Sequence, residues 1–135
     1  MSGVALVVLD ASVGVKWFRD EDGSSEANLL LAAHREGSID LHVSEHFVVE
    51  TLSVINRSFG PSAVIPAEDA LMMAEIAVHP LTPEVVGEAA RQCALLGCTF
   101  YDALAPALAI LLGAEFWSAD RRAHGAVPDV HLIGR

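Results

Sequence analysis

Short apolar segments alternate with stretches of helical periodicity along the chain, and this alternation limits the fold more than any other feature. The first segment, residues 4–9, has six apolar residues, three of them valine, and this pattern predicts a buried strand. Further strands are expected at 40–43, 115–118 and 130–133. Short apolar strands separated by helices form parallel sheets that are covered on both faces. We therefore expect an α/β fold with a mostly parallel sheet.

Periodicity and capping residues place helices between these strands. In chain order they are expected at 11–19, 26–35, 45–57, 66–76, 83–96 and 101–112. Ser44 is a candidate N-cap, and Thr82-Pro83 combines an N-cap with proline at the first helical position. Pro106 lies inside the last predicted helix, although proline is tolerated only in a first turn. That helix is therefore expected either to begin near Asp102 or to kink at the proline.

Length and composition indicate one domain, residues 1–135, with a sizeable core. The mean hydropathy of +0.43 is high for a small soluble protein. We interpret the surplus as apolar helix faces that meet a second subunit or another protein.

Neither a membrane span nor a signal peptide is expected. The longest uncharged run, 103–114, is shorter than the ~20 residues that a transmembrane helix requires, and no basic region precedes the apolar segment at 4–9. Cys93 and Cys98 have the spacing of neither a zinc pair nor a redox motif. They are interpreted as buried free thiols of a cytoplasmic protein.

Four acidic residues are the candidate functional groups: Asp10, Glu50, Asp102 and Asp120. Asp10 and Asp120 lie at the C-terminal ends of predicted strands, where parallel sheets bind their ligands. Three of the acids also have structural interpretations. Asp10 and Asp120 are suitable helix caps, and Asp102 follows Thr99 by three residues, as in a capping box. Glu50 lies in mid-helix between apolar neighbours, where a partly buried carboxylate needs a cation, a metal or an acid sharing its proton.

Taken together, the four acids predict a metal site. Carboxylates that converge at one sheet edge repel each other unless a cation lies between them. Oxygen ligands without histidine or cysteine at ligand spacing select hard cations such as Mg²⁺ or Mn²⁺. Such a site supports in-line attack of a metal-activated water on a phosphodiester.

The net charge of −10 weighs against a nucleic-acid partner, because phosphate contacts supply most of that affinity. The basic residues are unevenly distributed, however. Five of the eight lie within ten residues of one of the four acids: Lys16, Arg19, Arg57, Arg121 and Arg122. Because of this local distribution, the net charge is only weak evidence against a nucleic-acid partner.

With these residues the chain resembles the PIN-domain proteins, specifically the VapC-type toxins of bacterial toxin–antitoxin pairs. The resemblance covers nearly the whole length and depends on four motifs in order. They are Val-Val-Leu-Asp-Ala-Ser-Val at 7–13, Val-Val-Glu-Thr-Leu-Ser-Val-Ile around Glu50, Tyr-Asp-Ala-Leu-Ala at 101–105 and Trp-Ser-Ala-Asp-Arg-Arg at 117–122. The resemblance implies a three-layer α/β/α sandwich of about five strands and a Mg²⁺- or Mn²⁺-dependent endoribonuclease.

The resemblance also implies roles for particular residues. Asp10, Glu50, Asp102 and Asp120 become an acidic quartet that holds the metal. Ser118 and Ser12 match small polar positions of the family, where they support the site, although both are also suitable helix caps. The candidate RNA contacts are Lys16, Arg19, Arg121 and Arg122.

The partners that the resemblance implies are RNA, a second copy of the chain, and a cognate antitoxin whose C-terminal segment covers the site, often with an arginine. Two features depart from the family pattern. Pro106 falls where the family usually continues a plain helix after its third acid, here Asp102. No acid closely follows Asp120, so Asp129 is interpreted as a turn residue and a quartet is favoured over a quintet.

Other interpretations fit less well. A PIN-fold module that only binds a partner is the main alternative, against which the four acids argue. Phosphatases of the haloacid-dehalogenase type need a second aspartate where Ser12 stands, and receiver domains need an acidic pair and a late lysine. A Rossmann-type nucleotide binder needs a glycine-rich turn after the first strand, which is missing here. The six histidines show no ligand spacing and receive no role.

Overall fold

A single sheet of five parallel strands forms the centre of the computed structural model, which describes residues 3–135. The strands are β1 (Ala5–Leu9), β2 (Ile39–Ser44), β3 (Ala77–His79), β4 (Glu115–Ser118) and β5 (His131–Leu132). Their order across the sheet is β3-β2-β1-β4-β5, and every neighbouring pair is parallel. The expected α/β class is confirmed, and the sheet is parallel throughout.

Seven α-helices connect the strands in this part of the chain. They are α1 (Ala11–Gly14), α2 (Ser24–Glu36), α3 (Glu45–Phe59), α4 (Val64–Met73), α5 (Pro83–Leu96), α6 (Phe100–Leu112) and α7 (Arg121–His124). Short 3-10 turns follow α1 at Val15–Trp17 and precede α4 at Pro61–Ala63. The predicted helix at 11–19 is therefore divided into α1 and a 3-10 turn.

Alternate residues of β1 face two separate cores. Val7 and Leu9 pack in a cluster that includes Phe47 of α3. Val8 points the other way, into a cluster that includes Leu104 of α6. Burying each such side chain contributes about 1.5–3 kcal/mol. Helices thus cover both faces of the sheet, as a three-layer α/β/α sandwich requires.

The segment after α4 differs from the prediction. The apolar run was expected to continue as helix to residue 76, but α4 ends at Met73 and β3 follows at Ala77–His79. Glu75 takes a left-handed backbone conformation, with φ of 57°, which turns the chain out of the helix. Because β3 is only three residues long, it leaves almost no alternating pattern in the sequence.

Pro106 does not end or shift α6. The helix begins at Phe100, near Asp102 as expected, yet the proline still lies beyond the first turn. Proline has no N–H to donate to the carbonyl four residues earlier, which here belongs to Asp102. The Asp102 carbonyl therefore has to find a partner outside its own helix.

No single helix within residues 3–135 is long and apolar enough to cross a membrane. Only when α5 and α6 are taken together do they have the length and apolar composition of a membrane span, and the chain bends by 114° between them. The two cysteines are free and half-buried, and burial raises the pKa of the Cys98 thiol.

Candidate active site

The C-terminal ends of the two central strands bring Asp10 and Asp120 to the same edge of the sheet. Leu9 of β1 lies opposite Trp117 of β4, and the Asp10 amide donates to the Trp117 carbonyl at 3.0 Å. A cleft of about 370 Å³ opens there, lined by Asp10, Glu50 and Asp120. A second hollow of about 360 Å³ is lined by Asp102 and again by Asp120. The four predicted acids thus line two hollows that share Asp120.

Two of the four acids cap helix N-termini, as their structural interpretations required, and Asp102 lies in a first turn that Thr99 caps. Asp10 Oδ2 accepts a hydrogen bond from the Ser12 amide at 3.0 Å, and Asp120 Oδ1 accepts one from the Ala123 amide at 3.0 Å. The Asp102 amide donates to Thr99 Oγ1 at 3.1 Å. Helix N-termini favour negative charge, so acidic residues suit these positions. The caps of Asp10 and Asp120 each use one carboxylate oxygen, which leaves the other for a ligand.

Glu50 is the acid whose protonation the site perturbs. Burial raises the pKa of its carboxyl, and the negative charges of Asp10 and Asp102 raise it further. His46, one turn earlier on α3, opposes this shift with its Nε2 at 2.7 Å from Glu50 Oε2. The side chain keeps 48% of its exposure, so burial is only partial. The charges of three carboxylates therefore converge on one half-exposed position, where a cation lowers the free energy of all three.

A chain of hydrogen bonds runs behind these acids. The Ser12 hydroxyl accepts from the Ala119 amide at 2.9 Å and lies 3.3 Å from the Ser118 hydroxyl. Ser118 Oγ accepts from the Asp120 amide at 3.0 Å and lies 2.7 Å from Nδ1 of His124. The two serines are thus bonded to each other and to the backbone around the last acid. They hold the ends of β1 and β4 together.

His124 completes this chain and links it to the third acid. Its Nε2 lies 2.8 Å from the Asp102 carbonyl oxygen, and its Nδ1 lies 4.0 Å from Asp10 Oδ2. A carbonyl oxygen only accepts, so Nε2 carries a proton, and in the neutral ring Nδ1 accepts from the Ser118 hydroxyl. Sequence reasoning gave His124 no role. The available signal was Pro106, which predicts that the Asp102 carbonyl needs an outside donor.

Most of the basic residues that lie near the acids in the sequence are bonded to other groups of the protein in the structure. Lys16 is buried, with Nζ at 2.9 Å from Glu21, and Arg19 also pairs with Glu21 at 2.9 Å. Arg121 donates to the Gly134 carbonyl at 2.8 Å. These three side chains therefore have structural partners. Arg122 is exposed beside Asp102 and Asp120 and, within residues 3–135, makes no hydrogen bond or ion pair.

The donor chemistry of the site fits a hard divalent cation. Its side chains offer carboxylate and hydroxyl oxygens, which Mg²⁺ and Mn²⁺ prefer. Across residues 3–135, no three His, Cys, Asp or Glu side chains stand close enough to hold one ion directly. Mg²⁺ usually keeps several waters and binds one or two carboxylates. The arrangement is therefore suited to an ion held by Asp10 and Asp120, with Glu50 and Asp102 acting directly or through waters.

Solved structures with the same fold come from several bacteria. VapC20 of Mycobacterium tuberculosis, described as a toxin that cleaves the sarcin–ricin loop, matches with a TM-score of 0.71 at 18% identity over 90% of this chain and 95% of that one. VapBC2 of Rickettsia felis, bound to a DNA fragment from its promoter, matches with a TM-score of 0.72 at 14% identity over 94% and 96%. A toxin–antitoxin complex from Klebsiella pneumoniae gives 0.71 at 14% identity over 92% and 94%.

At these identities the likeness establishes the fold alone. No curated protein matches the sequence. The family model described as the PIN domain matches residues 7–127, which is most of the chain and includes all four acids. The chain therefore belongs to the PIN domain family.

Proposed function

We propose that this chain is a metal-dependent endoribonuclease that acts as the toxin of a toxin–antitoxin pair. The observation that carries the proposal is the meeting of Asp10 and Asp120 at one edge of the sheet, where Glu50 and Asp102 line the adjoining hollows. Such a cluster is suited to a divalent cation and a phosphodiester. The structural likeness to a toxin described as cleaving the sarcin–ricin loop supports RNA as the substrate class.

In the mechanism we propose, the metal ligands are Asp10 and Asp120, completed by Glu50 and Asp102. A bound Mg²⁺ or Mn²⁺ would lower the pKa of a coordinated water and stabilise charge on the scissile phosphate. The chain's own part is to hold these oxygens in place. Ser12 and Ser118 orient the ends of β1 and β4, and Arg122 supplies a free cation for the RNA backbone.

The surface beside the acids supports the proposed protein partners. A hollow of about 380 Å³ lies against the site and is lined by His46, Leu81 and Tyr101 among other residues. Val49, Met72 and Met73 are also exposed. Apolar surface next to an acidic site suits an antitoxin segment that carries an arginine, and the remaining apolar surface suits a second copy of the chain. A strict monomer in a concentration series of sedimentation runs would contradict the homodimer.

The decisive experiment is cleavage of a labelled pool of structured RNAs with Mg²⁺, with Mn²⁺ or with EDTA. Asp10→Asn is the test variant, because asparagine caps a helix as well as aspartate and leaves the fold intact. The control is Asp69→Asn, which changes an exposed acid on α4.

Metal-dependent cutting that is lost in Asp10→Asn and kept in Asp69→Asn would support the nuclease. Equal cutting by both variants would refute the assignment of the acids. If no metal gives cutting, and expression in cells does not arrest growth in a way that Asp10→Asn relieves, the chain is a module that only binds a partner.

A further inference from the structure

Pro106 leaves the Asp102 carbonyl without the hydrogen bond that an α-helix would normally give it. The residue four positions later is the proline, which has no N–H. A carbonyl in the first turn of a largely buried helix cannot be left without a donor at no cost. The donor is His124, with its Nε2 at 2.8 Å from the carbonyl oxygen. Pro106 and His124 thus affect the same backbone atom, the carbonyl oxygen of a proposed metal ligand: the first leaves it without a donor and the second supplies one.

The imidazole of His124 is buried and has contacts on several sides. The side chain is 2% exposed. Its ring packs edge-on against Phe116 of β4, with centroids 5.0 Å apart and an interplanar angle of 89°. Its Nδ1 lies 2.7 Å from the hydroxyl of Ser118. Both ring nitrogens therefore have hydrogen-bond partners, and the ring also packs against Phe116.

This ring connects two parts of the site that the backbone brings from different places. Ser118 belongs to the end of β4 and bonds the amide of Asp120. Asp102 belongs to the first turn of α6, where its amide is bonded to Thr99. The Asp102 carbonyl is thus linked through His124 and Ser118 to the Asp120 amide, while the Asp102 amide is held within α6. A carboxylate that helps to hold a metal must keep its place to within about 0.5 Å, and this bond supplies that restraint.

We propose that Pro106 and His124 form a matched pair that positions the Asp102 carboxylate against Asp120. Proline frees the carbonyl, and histidine links it to Ser118, at the end of the strand that precedes the last acid. His124 is a positioning residue, since it acts through Asp102 and Ser118. This inference rests on the proposed function, in which Asp102 helps to hold a divalent cation.

A double-mutant cycle on the full chain tests the pairing. His124→Phe keeps a ring against Phe116 but has no donor, so Mn²⁺ affinity measured by electron paramagnetic resonance without RNA should fall about 10–100-fold. In the Pro106→Ala background, the new backbone amide at position 106 can supply the missing bond within α6. The same His124→Phe change should then cost at least several-fold less. Equal losses in both backgrounds would overturn the pairing.

Two further variants separate positioning from general damage to the fold. His124→Gln keeps one donor and one acceptor at the end of the side chain, so it should restore most of the Mn²⁺ affinity that His124→Phe loses. His131→Phe is the control, because His131 is an exposed histidine on β5 that bonds none of the acids proposed as ligands. A structural role alone would lower the melting temperature of His124→Phe without changing Mn²⁺ affinity, and that result would also overturn the proposal.

The imidazole itself provides an independent readout. Nitrogen-15 shifts of His124 should show a proton on Nε2 in the wild type, because the Asp102 carbonyl oxygen can only accept. In Pro106→Ala a mixture of the two tautomers is expected, because the carbonyl then has a competing donor. A wild-type ring without a proton on Nε2 would contradict the assignment. These measurements need no RNA, so they test the pairing even if RNA cleavage, and with it the proposed function, fails.

Discussion

Glu50 Oε2 lies 2.7 Å from His46 Nε2, one turn away on α3, and this is the contact that opposes the repulsion from the other acids. The same imidazole lies over Tyr101, with ring centroids 5.0 Å apart. Tyr101 directly precedes Asp102. His46 therefore joins the helix that carries the second acid to the helix that carries the third.

Glu50→Gln should stabilise the protein at neutral pH while it weakens metal binding. The pKa of Glu50 is raised in the folded state, so its contribution to stability is present below its ordinary pKa of about 4.3 and is lost as pH rises through the folded value. Removing the charge abolishes that loss. Because the side chain is half-exposed, the gain should stay under about 1 kcal/mol. Urea unfolding at pH 3.5 and pH 7.5 checks this, and an equal effect at both values would contradict it.

Divalent metal should raise the melting temperature of the wild type. A ligand that binds only the folded state at a hundred times its dissociation constant adds about 2.7 kcal/mol. We expect this shift with Mg²⁺ or Mn²⁺ in wild type and in Asp69→Asn. Asp10→Asn should lose it, because that variant lacks a proposed ligand but keeps the helix cap. Calorimetry with and without EDTA measures the shift, and a metal response in Asp10→Asn equal to wild type would count against Asp10 as a ligand.

Lys16→Met should destabilise the fold by about 1–3 kcal/mol and leave RNA affinity nearly unchanged. Lys16 is buried and its ammonium is paired with Glu21, so the variant leaves that carboxylate with one cationic partner, Arg19. Chemical denaturation and RNA binding, measured on the same samples, separate the two effects. Unchanged stability together with weaker RNA binding would restore Lys16 as a phosphate contact.

Arg122→Ala should have the opposite effects: stability should hardly change, and RNA binding should weaken. The side chain is exposed beside Asp102 and Asp120, so its loss should change stability by less than about 0.5 kcal/mol. If Arg122 contacts a phosphate, the slope of log binding constant against log salt should fall by about one. Titrations at several salt concentrations test this in parallel with Lys16→Met. An unaltered slope would place the RNA elsewhere.

The sequence predicted best the features that depend on neighbouring residues. Thr82-Pro83 and Gly97 delimit α5 as expected, since a cap, a first-turn proline and a left-handed glycine act locally. The strand at β3 was missed because three residues carry too little pattern. The α4 prediction extended too far because the apolar run continues to Ile76, whereas the left-handed backbone at Glu75 turns the chain out of the helix.

In the candidate site, too, the features that depend on neighbouring residues were the predictable ones. The helix-capping roles of Asp10 and Asp120 follow from local sequence, and their meeting at one edge follows from parallel strands. The link from His124 to Asp102 joins residues 22 positions apart, and only the tertiary fold brings them together. Likewise, nothing around Lys16 in the sequence distinguishes a buried ion pair from a phosphate contact.

The outermost strands of the sheet are its shortest, three residues in β3 and two in β5. A partner that adds a strand needs a row of free amides and carbonyls along an edge, and these edges offer very few. The large apolar side chains that remain exposed belong mostly to helices, among them Val49, Met73, Tyr101 and Ile110. A protein that binds this molecule would therefore meet exposed apolar side chains on the helices and few free backbone groups along the sheet edges.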